Sequence, residues 1–193
     1  MRLQMLNPHR VPTFTDDHRS VHVIVETPRG SSVKYAWEPK SGFIQVRKLL
    51  PPGMIFPFNF GMVPGTLASD GDPLDVVILN EEPLLCPCLV RALPVGIIQA
   101  EQSDGKQTFR NDRIIAHALP TEASLGPEEF ALTNKLVAQI EFFFKAYNTA
   151  YGKRFTVLAV GDQAAVMEAV TAAVRNAKQR SKDPPRKLAN AMT

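Results

Sequence analysis

Short segments rich in β-branched residues fill the first two thirds of this chain, and helical periodicity appears only towards its end. The early segments are bounded by Gly, Pro, Ser or Asp, which predicts strands. They cover residues 21–26, 33–37, 43–48, 75–79, 89–101 and 112–118. A helix is predicted from Pro127 to Tyr151, then a strand over 154–160 and a second helix capped by Asp162. Strands first and helices late predict an α+β fold around a small antiparallel sheet or barrel.

The length of 193 residues and the hydrophobic content of 45% favour one globular domain over two. We predict a loose arm over residues 1–18, a domain over 19–179 and a polar, proline-interrupted tail over 180–193. The formal net charge of +3 is small for this length. It excludes a protein whose affinity comes mainly from neutralising the phosphates of a nucleic acid.

Residues 49–69 carry no charge, but four prolines interrupt them. We therefore predict a loop or an edge wall there and no membrane span. The first twenty residues lack the apolar stretch of a secretory signal, which predicts a cytoplasmic protein. Cys86 and Cys88 are too close in sequence to close a useful disulfide loop, and no second cysteine pair completes a zinc site.

The densest polar segment covers residues 69–75, in which Asp70, Asp72 and Asp75 precede an apolar strand. The first two project to the same side of an extended segment, and Pro73 turns the chain so that the third converges on them. Two carboxylates ~5 Å apart repel by roughly 3 kcal/mol at an effective dielectric of ~20, so such a group requires a bound cation or a proton. Oxygen ligands select hard cations, Mg²⁺ first.

Two other interpretations of this segment are open. A turn of Asp, Gly and Pro whose carboxylates face water is the more frequent outcome for an arbitrary sequence. A calcium-binding helix-loop-helix would use Asp70, Asp72 and Glu81. That loop fails because Leu74 and Asp75 stand where an oxygen ligand and a glycine are required, and its flanks are predicted as loop and strand.

The DGDPLD segment at 70–75, followed by an apolar strand, resembles the metal-binding signature of the soluble family I inorganic pyrophosphatases. The order of the other motifs over about residues 20–178 is similar to that family too. These motifs are ETP at 26–28, VKY at 33–35, RK at 47–48, FPFNFG at 56–61, PVG at 94–96, NDR at 111–113 and Tyr147. The resemblance implies a five-stranded OB-like antiparallel β-barrel with two packed C-terminal helices.

The same resemblance implies a function. It is the Mg²⁺-dependent hydrolysis of inorganic pyrophosphate to two phosphates by a metal-activated water, with several ions in one site. It also implies a homo-oligomer, which is a hexamer in bacterial members. Asp72 matches the carboxylate that orients the attacking water, Asp70 and Asp75 match further metal ligands, and Glu26 matches another acidic residue of the site.

The phosphate-binding residues are also implied by the resemblance. Lys34 and Lys48 match cations that bind phosphate, with Arg47 as a register alternative for the second. Tyr147 and Lys153 would reach the phosphate from the helical side. Arg113 stands where a phosphate-binding lysine is expected, which keeps the charge and changes the geometry.

The remaining metal ligands of the family do not align cleanly with this chain, and three acidic residues are available for them. These are Glu101, Asp104 and Asp112. Asp104 with Gly105 equally predicts a hairpin turn.

Three positions depart from the family pattern. Ala36 replaces an acidic residue, Phe60 replaces a tyrosine whose hydroxyl helps to hold the nucleophile, and Asn148 replaces a lysine. They support an alternative function: a catalytically impaired relative that binds phosphate ligands or partner proteins. A nucleic-acid-binding OB-like module is disfavoured because the predicted groove is acidic.

Overall fold

The computed structural model describes residues 8–119 and 132–182, which form nine strands, two α-helices and one 3₁₀ turn. The turn covers Pro8–Arg10. The strands are β1 (Val21–Thr27), β2 (Val33–Glu38), β3 (Phe43–Leu49), β4 (Asn59–Met62), β5 (Asp75–Ile78), β6 (Cys88–Ser103), β7 (Thr108–Arg110), β8 (Arg113–Leu119) and β9 (Arg154–Gly161). The helices are α1 (Asn134–Thr149) and α2 (Gln163–Lys182). All seven predicted strands form, and the α+β class is confirmed.

Seven strands form one mixed sheet, and β2 and β3 form a separate antiparallel pair. Five strands of the sheet close on themselves, because β1, β4, β5, β8 and β6 pair in that order and β6 pairs again with β1. Strands β7 and β9 both pair with the far end of the long strand β6. The all-antiparallel prediction is therefore wrong in one pairing of this circuit, and two further strands extend the sheet beyond the five that were predicted.

That pairing is β5 with β8, which are parallel, with Val76 opposite Ile114. The physical reason is the connection: 34 residues from 79 to 112, including β6 and β7, separate these two strands. A long crossover allows parallel pairing, whereas a short hairpin imposes the antiparallel one. The register also sets Asp75 and Arg113 side by side, as the first residues of their strands.

The uncharged segment over 49–69 contains a strand that sequence patterning missed. Strand β4 lies between β1 and β5, fully buried. Only glycine fits at position 61 of this strand, since a Cβ there would lie 2.3 Å from the carbonyl oxygen of Ile24. The prediction of a loop or an edge wall is therefore wrong for 59–62, because four residues flanked by prolines are too few to show alternation.

The buried residues form two clusters, one under each helix. Residues Val166, Val170 and Ala173 of α2 pack on the first cluster, which is aliphatic. The second cluster is aromatic and joins α1 to β4, with Phe60 contacting Phe144 at 5.7 Å between ring centroids. This aromatic cluster positions the site, because its residues form one side of the cleft described below.

Helix α1 begins later than predicted. Thr133 is its N-cap, and the Thr133 side chain accepts a hydrogen bond from the backbone N–H of Leu136. Leu132 and Thr133 are not helical, and the predicted start at Pro127 lies outside the described residues. The cap explains the start, since a threonine oxygen satisfies an N–H that has no partner within the helix.

The segment before β1, predicted as a loose arm, contacts the sheet. The N–H of His22 donates to the carbonyl of Thr13 at 2.9 Å, the Thr13 hydroxyl donates to that of Pro64 at 2.8 Å, and Phe14 bridges to Val21. At the other end, α2 extends to Lys182, and the rest of the predicted tail lies outside the described residues. Neither α1 nor α2 is long and apolar enough to cross a membrane.

Candidate active site

An open cleft of about 760 Å³ lies between the β2–β3 pair, the turn before β5 and helix α1. Four carboxylates and five cationic side chains line it. The carboxylates are Glu26, Asp70, Asp72 and Asp75, and the cations are Lys34, Arg47, Lys48, Arg113 and Lys153. The structure thus brings together ten of the thirteen site residues predicted from the sequence, since Tyr147 lines the same cleft.

The carboxylates of the 69–75 turn are close enough to affect each other. The backbone N–H of Asp72 donates to Asp70 at 3.1 Å, and Gly71 allows the turn with a φ of +92°. Partial desolvation raises the pKa of Asp70, and the negative charges of Asp75 and Asp72 raise it further. The side chains therefore share one electrostatic environment, in which a bound cation would relieve the repulsion.

Glu26 lies at the back of the cleft, near the end of β1. It is 7% exposed, and its carboxylate accepts a hydrogen bond of 2.7 Å from the backbone N–H of Trp37. Burial raises its pKa from 4.5 to about 7, assisted by the charges of Asp75 and Asp72 and opposed by the Trp37 N–H and by Lys34. The carboxyl is thus half-protonated near neutral pH when no cation is bound.

We expect Glu26 to make the stability of the metal-free protein depend on pH. Between pH 4.5 and about 7 the folded state holds a proton that the unfolded chain has released, so the free energy of unfolding falls as the pH rises. Across this window, the free energy of unfolding of the wild type should fall by up to about 3 kcal/mol relative to that of Glu26→Gln. Urea denaturation with a chelator at pH 5 and pH 8 measures this. Parallel pH profiles of the two proteins would contradict it, and the exposed Glu82→Gln variant is the control.

Three lysines face the acidic side of the cleft. Burial lowers the pKa of Lys48, and the positive charges of Lys34 and Lys153, which line the same cleft, lower it further. Lys48 lies 4.2 Å from the ring centroid of Tyr151 and 5.4 Å from that of Tyr147. Three like charges held on aromatic faces form a site for an anion with several negative charges.

The register alternative for the second cation is Arg47. Its Nη2 forms an ion pair of 3.0 Å with Glu38 on the neighbouring strand. Lys48, by contrast, forms no ion pair within 4.0 Å among residues 8–119 and 132–182 and packs on two tyrosines. The structure therefore favours Lys48 as the cation available to a ligand.

Two further donors of the cleft lining are unused. The hydroxyl of Tyr147 and the indole N–H of Trp37 are buried and make no hydrogen bond in the structure. Burial raises the pKa of Tyr147, so its hydroxyl keeps its proton and remains a donor. Sequence reasoning missed Trp37, because residues three apart on a regular strand face opposite sides. Here the β2–β3 pair shifts register between Lys34 and Tyr35, and both Lys34 and Trp37 line the cleft.

Arg113 is the most enclosed cation of the cleft. It is 4% exposed, and its Nη1 forms an ion pair of 2.8 Å with Asp75. The same nitrogen donates to the carbonyl of Asp112 at 2.8 Å and to the side chain of Asn111. The guanidinium carbon also lies 4.9 Å from the ring centroid of Phe144. Arg113 is thus held by a carboxylate, by backbone and by an aromatic ring.

The three acidic residues left open by the sequence do not line the cleft. Asp104 accepts the N–H groups of Lys106 and Gln107, which fixes a hairpin turn between β6 and β7 and lowers its pKa. Asp112 accepts from Arg110 at 2.6 Å and from the N–H of Ala100.

Glu101, on β6, is the third of these acidic residues. It lies opposite Arg110 of β7 and Thr156 of β9. The residues of this region that do line the cleft are Gln102 and Asn111, whose amides hydrogen-bond to each other at 3.0 Å. Alternation along β6 explains why Gln102 lines the cleft and Glu101 does not, because adjacent residues of a strand point to opposite faces.

The donors on the acidic side fit magnesium. Within residues 8–119 and 132–182, no three His, Cys, Asp or Glu side chains enclose a single position. Mg²⁺ does not require such a cage, since it keeps several waters and binds through one or two carboxylates and the phosphates of a substrate. Carboxylates with oxygen donors alone, in a cleft that lysines also line, meet those requirements.

An acidic wall facing a cluster of lysines, on a mixed sheet with two helices, defines an enzyme cleft for small polyanions and divalent ions. Comparisons with known proteins give the family. The inorganic pyrophosphatase family model matches residues 23–178. Soluble inorganic pyrophosphatase 2 of Chlamydomonas reinhardtii is 35% identical over 150 residues, which cover 77% of this chain and 76% of that protein.

Two other matches agree. The inorganic pyrophosphatase of Aeropyrum pernix is 40% identical over 85 residues, covering 44% of this chain and 48% of that protein. The crystal structure of the inorganic pyrophosphatase of Thermus thermophilus aligns with a TM-score of 0.75 at 28% identity, over 90% of this chain and 99% of that one. This chain belongs to the inorganic pyrophosphatase family.

Proposed function

We propose that this chain hydrolyses inorganic pyrophosphate to two phosphates in the cleft between Asp72 and Lys34. The observation that carries the proposal is the lining of the cleft, where four carboxylates and three lysines lie in one cavity. Pyrophosphate with divalent ions complements both. The inorganic pyrophosphatase names of the relatives support the same substrate.

We propose that Asp70 and Asp72 hold Mg²⁺, with Glu26 and Asp75 contributing negative charge behind them. Bound magnesium would lower the pKa of a water and neutralise the oxygens of the transferring phosphoryl group. Asp72 would accept a hydrogen bond from the attacking water and orient it. The Mg²⁺ preference follows from the all-oxygen donor set.

The cationic side of the cleft binds and orients the substrate. Lys34, Lys48 and Lys153 would bind the phosphate oxygens, and the unpaired hydroxyl of Tyr147 would donate to the same group. Because these donors are fixed by packing, they stabilise charge that builds up on the leaving phosphate without reorganising.

The departures from the family pattern have identifiable effects. Phe60 is 3% exposed and packs on Phe56 and Phe144, so its ring forms part of the floor and offers no hydroxyl to the nucleophile. Asn148 donates to the carbonyl of Phe144 inside α1, which makes it a structural residue. We infer slower chemistry than a tyrosine at position 60 would allow.

The assembly and wider context remain part of the proposal. We propose that the closed circuit of five strands corresponds to the OB-like barrel implied by the resemblance. We also propose a cytoplasmic homo-oligomer, a hexamer if the source is bacterial, with no membrane or nucleic-acid partner. The domain is proposed to cover residues 19–179 between the arm and the tail.

The test is phosphate release from pyrophosphate by the purified chain. We expect release with added Mg²⁺ and its loss when a chelator removes the ion, because the acidic side would no longer bind the substrate complex. Calorimetry in parallel distinguishes the alternative. Pyrophosphate binding without release, across Mg²⁺, Mn²⁺ and Co²⁺, would contradict the proposed activity and support the impaired phosphate-binding protein.

A further inference from the structure

The Asp75–Arg113 pair sets this cleft apart from one built only of carboxylates. The parallel register of β5 and β8 fixes the two residues side by side, and their side chains are 26% and 5% exposed. The 2.8 Å contact joins Nη1 to Oδ2 of the carboxylate. A cation at this distance neutralises the negative charge of the carboxylate, as a bound metal ion would.

The charge at Arg113 is permanent and immobile. A guanidinium is not deprotonated in proteins, and its planar group suits both carboxylates and aromatic faces. Here it lies over the rings of Phe60 and Phe144, at 5.7 Å and 4.9 Å from their centroids. Its Nη1 is further tied to Asn111 and to the carbonyl of Asp112, so the group cannot swing aside without losing buried hydrogen bonds.

The neighbouring wall adds no negative charge. Gln102 and Asn111 line the cleft beside Arg113 and hydrogen-bond to each other, whereas Glu101 and Asp112 do not line it. Amides are weaker ligands for a divalent ion than carboxylates. This end of the cleft therefore holds the Asp75–Arg113 ion pair and neutral amides, whereas Asp70 and Asp72 at the other end form no ion pair within 4.0 Å among the residues that the structure describes.

We propose that the Arg113 guanidinium takes the place of one divalent ion at Asp75, which confines ion binding to the Asp70–Asp72 end of the cleft. Arg113 is a positioning residue in this account, since it acts through Asp75. The inference rests on the proposed function, because it assumes that the cleft binds divalent ions. Its consequence is that catalysis by this chain uses fewer ions than the number of its acidic side chains suggests.

The test counts Mn²⁺ ions bound per chain, without substrate, from the electron paramagnetic resonance signal of the free ion. Arg113→Met should bind about one ion more than the wild type, because the Asp75 carboxylate is freed. Arg113→Lys, which retains the charge, should bind the same number as the wild type. Arg91→Met breaks the Arg91–Asp17 pair, whose residues line neither this cleft nor the adjoining cavity beside Asp70 and Asp75, and it controls for the general effect of freeing a carboxylate.

Equal counts for the wild type and Arg113→Met, or the same gain in Arg91→Met, would overturn the inference. Where Arg113→Met fails to fold by circular dichroism, Asp75→Asn and Asp72→Asn decide. Asp75→Asn should leave the ion count unchanged, and Asp72→Asn should lower it. A matching loss in both would show that Asp75 ligates an ion despite Arg113. A wild type that binds no Mn²⁺ at all would instead refute the proposed function.

Discussion

Replacing Asp72 by Asn should reduce the rate of phosphate release at least ~10³-fold while the protein stays folded. The side chain is exposed at the turn before β5, so the substitution leaves no buried group without a partner. Asparagine keeps the shape and removes the negative charge that holds an ion and orients water. The loss should therefore appear in kcat and should not be recovered by saturating substrate.

The measurement is a steady-state rate in excess Mg²⁺, with thermal unfolding to confirm the fold. The exposed Asp16→Asn variant removes the same charge outside the cleft and should stay within about twofold of the wild type. If Asp72→Asn retained a tenth or more of the wild-type kcat, Asp72 would not be the residue that orients the nucleophile.

Replacing Lys34 by Met should reduce kcat/KM by about 10²–10³-fold. The ammonium group lies 5.8 Å from the ring centroid of Phe60 and close enough to Glu26 to lower that residue's pKa. Methionine preserves the packing of the stem and removes the charge that would bind a phosphate oxygen. The variant should also shift the Glu26 carboxyl towards its protonated form, since Lys34 no longer favours the carboxylate.

Lys178→Met is the matched control, because that lysine is exposed on α2 and does not line the cleft. A kcat/KM for Lys34→Met within a few-fold of the control would show that Lys34 is a solvated surface charge. The affinity for a non-hydrolysable pyrophosphate analogue, measured by calorimetry, should also be lower in Lys34→Met.

Much of the fold follows from local pattern. The predicted strands are all present because each is a run of β-branched residues ended by turn residues, and the structure moves their boundaries by only one or two positions. Strands β4 and β7 were not predicted, because four and three residues are too few to display a period. The parallel pairing of β5 with β8 is a long-range property, because the intervening 34 residues, which include the 16-residue strand β6, separate the two strands, and no local signal encodes it.

The residues of the site likewise fall into those predictable from nearby sequence and those that depend on long-range contacts. Asp70, Asp72 and Asp75 lie close in sequence, and a single turn brings them to one side of the cleft. Gln102 and Asn111 were missed because their selection depends on which face of β6 and of the following loop turns inward. The bond between Arg113 and Asp75 joins residues 38 positions apart, so only the assembled sheet reveals it.

In the proposed function, one cleft gathers divalent ions on its aspartates and a polyanion on its lysines. The most direct test is a crystal structure with Mn²⁺ and a non-hydrolysable pyrophosphate analogue, in which anomalous scattering locates each ion. We predict an ion ligated by Asp70 or Asp72 at ~2.2 Å, with analogue oxygens within ~3 Å of Lys34 and Lys48. Aspartate side chains directed into bulk solvent, with no shared ion and the analogue bound elsewhere, would contradict the account.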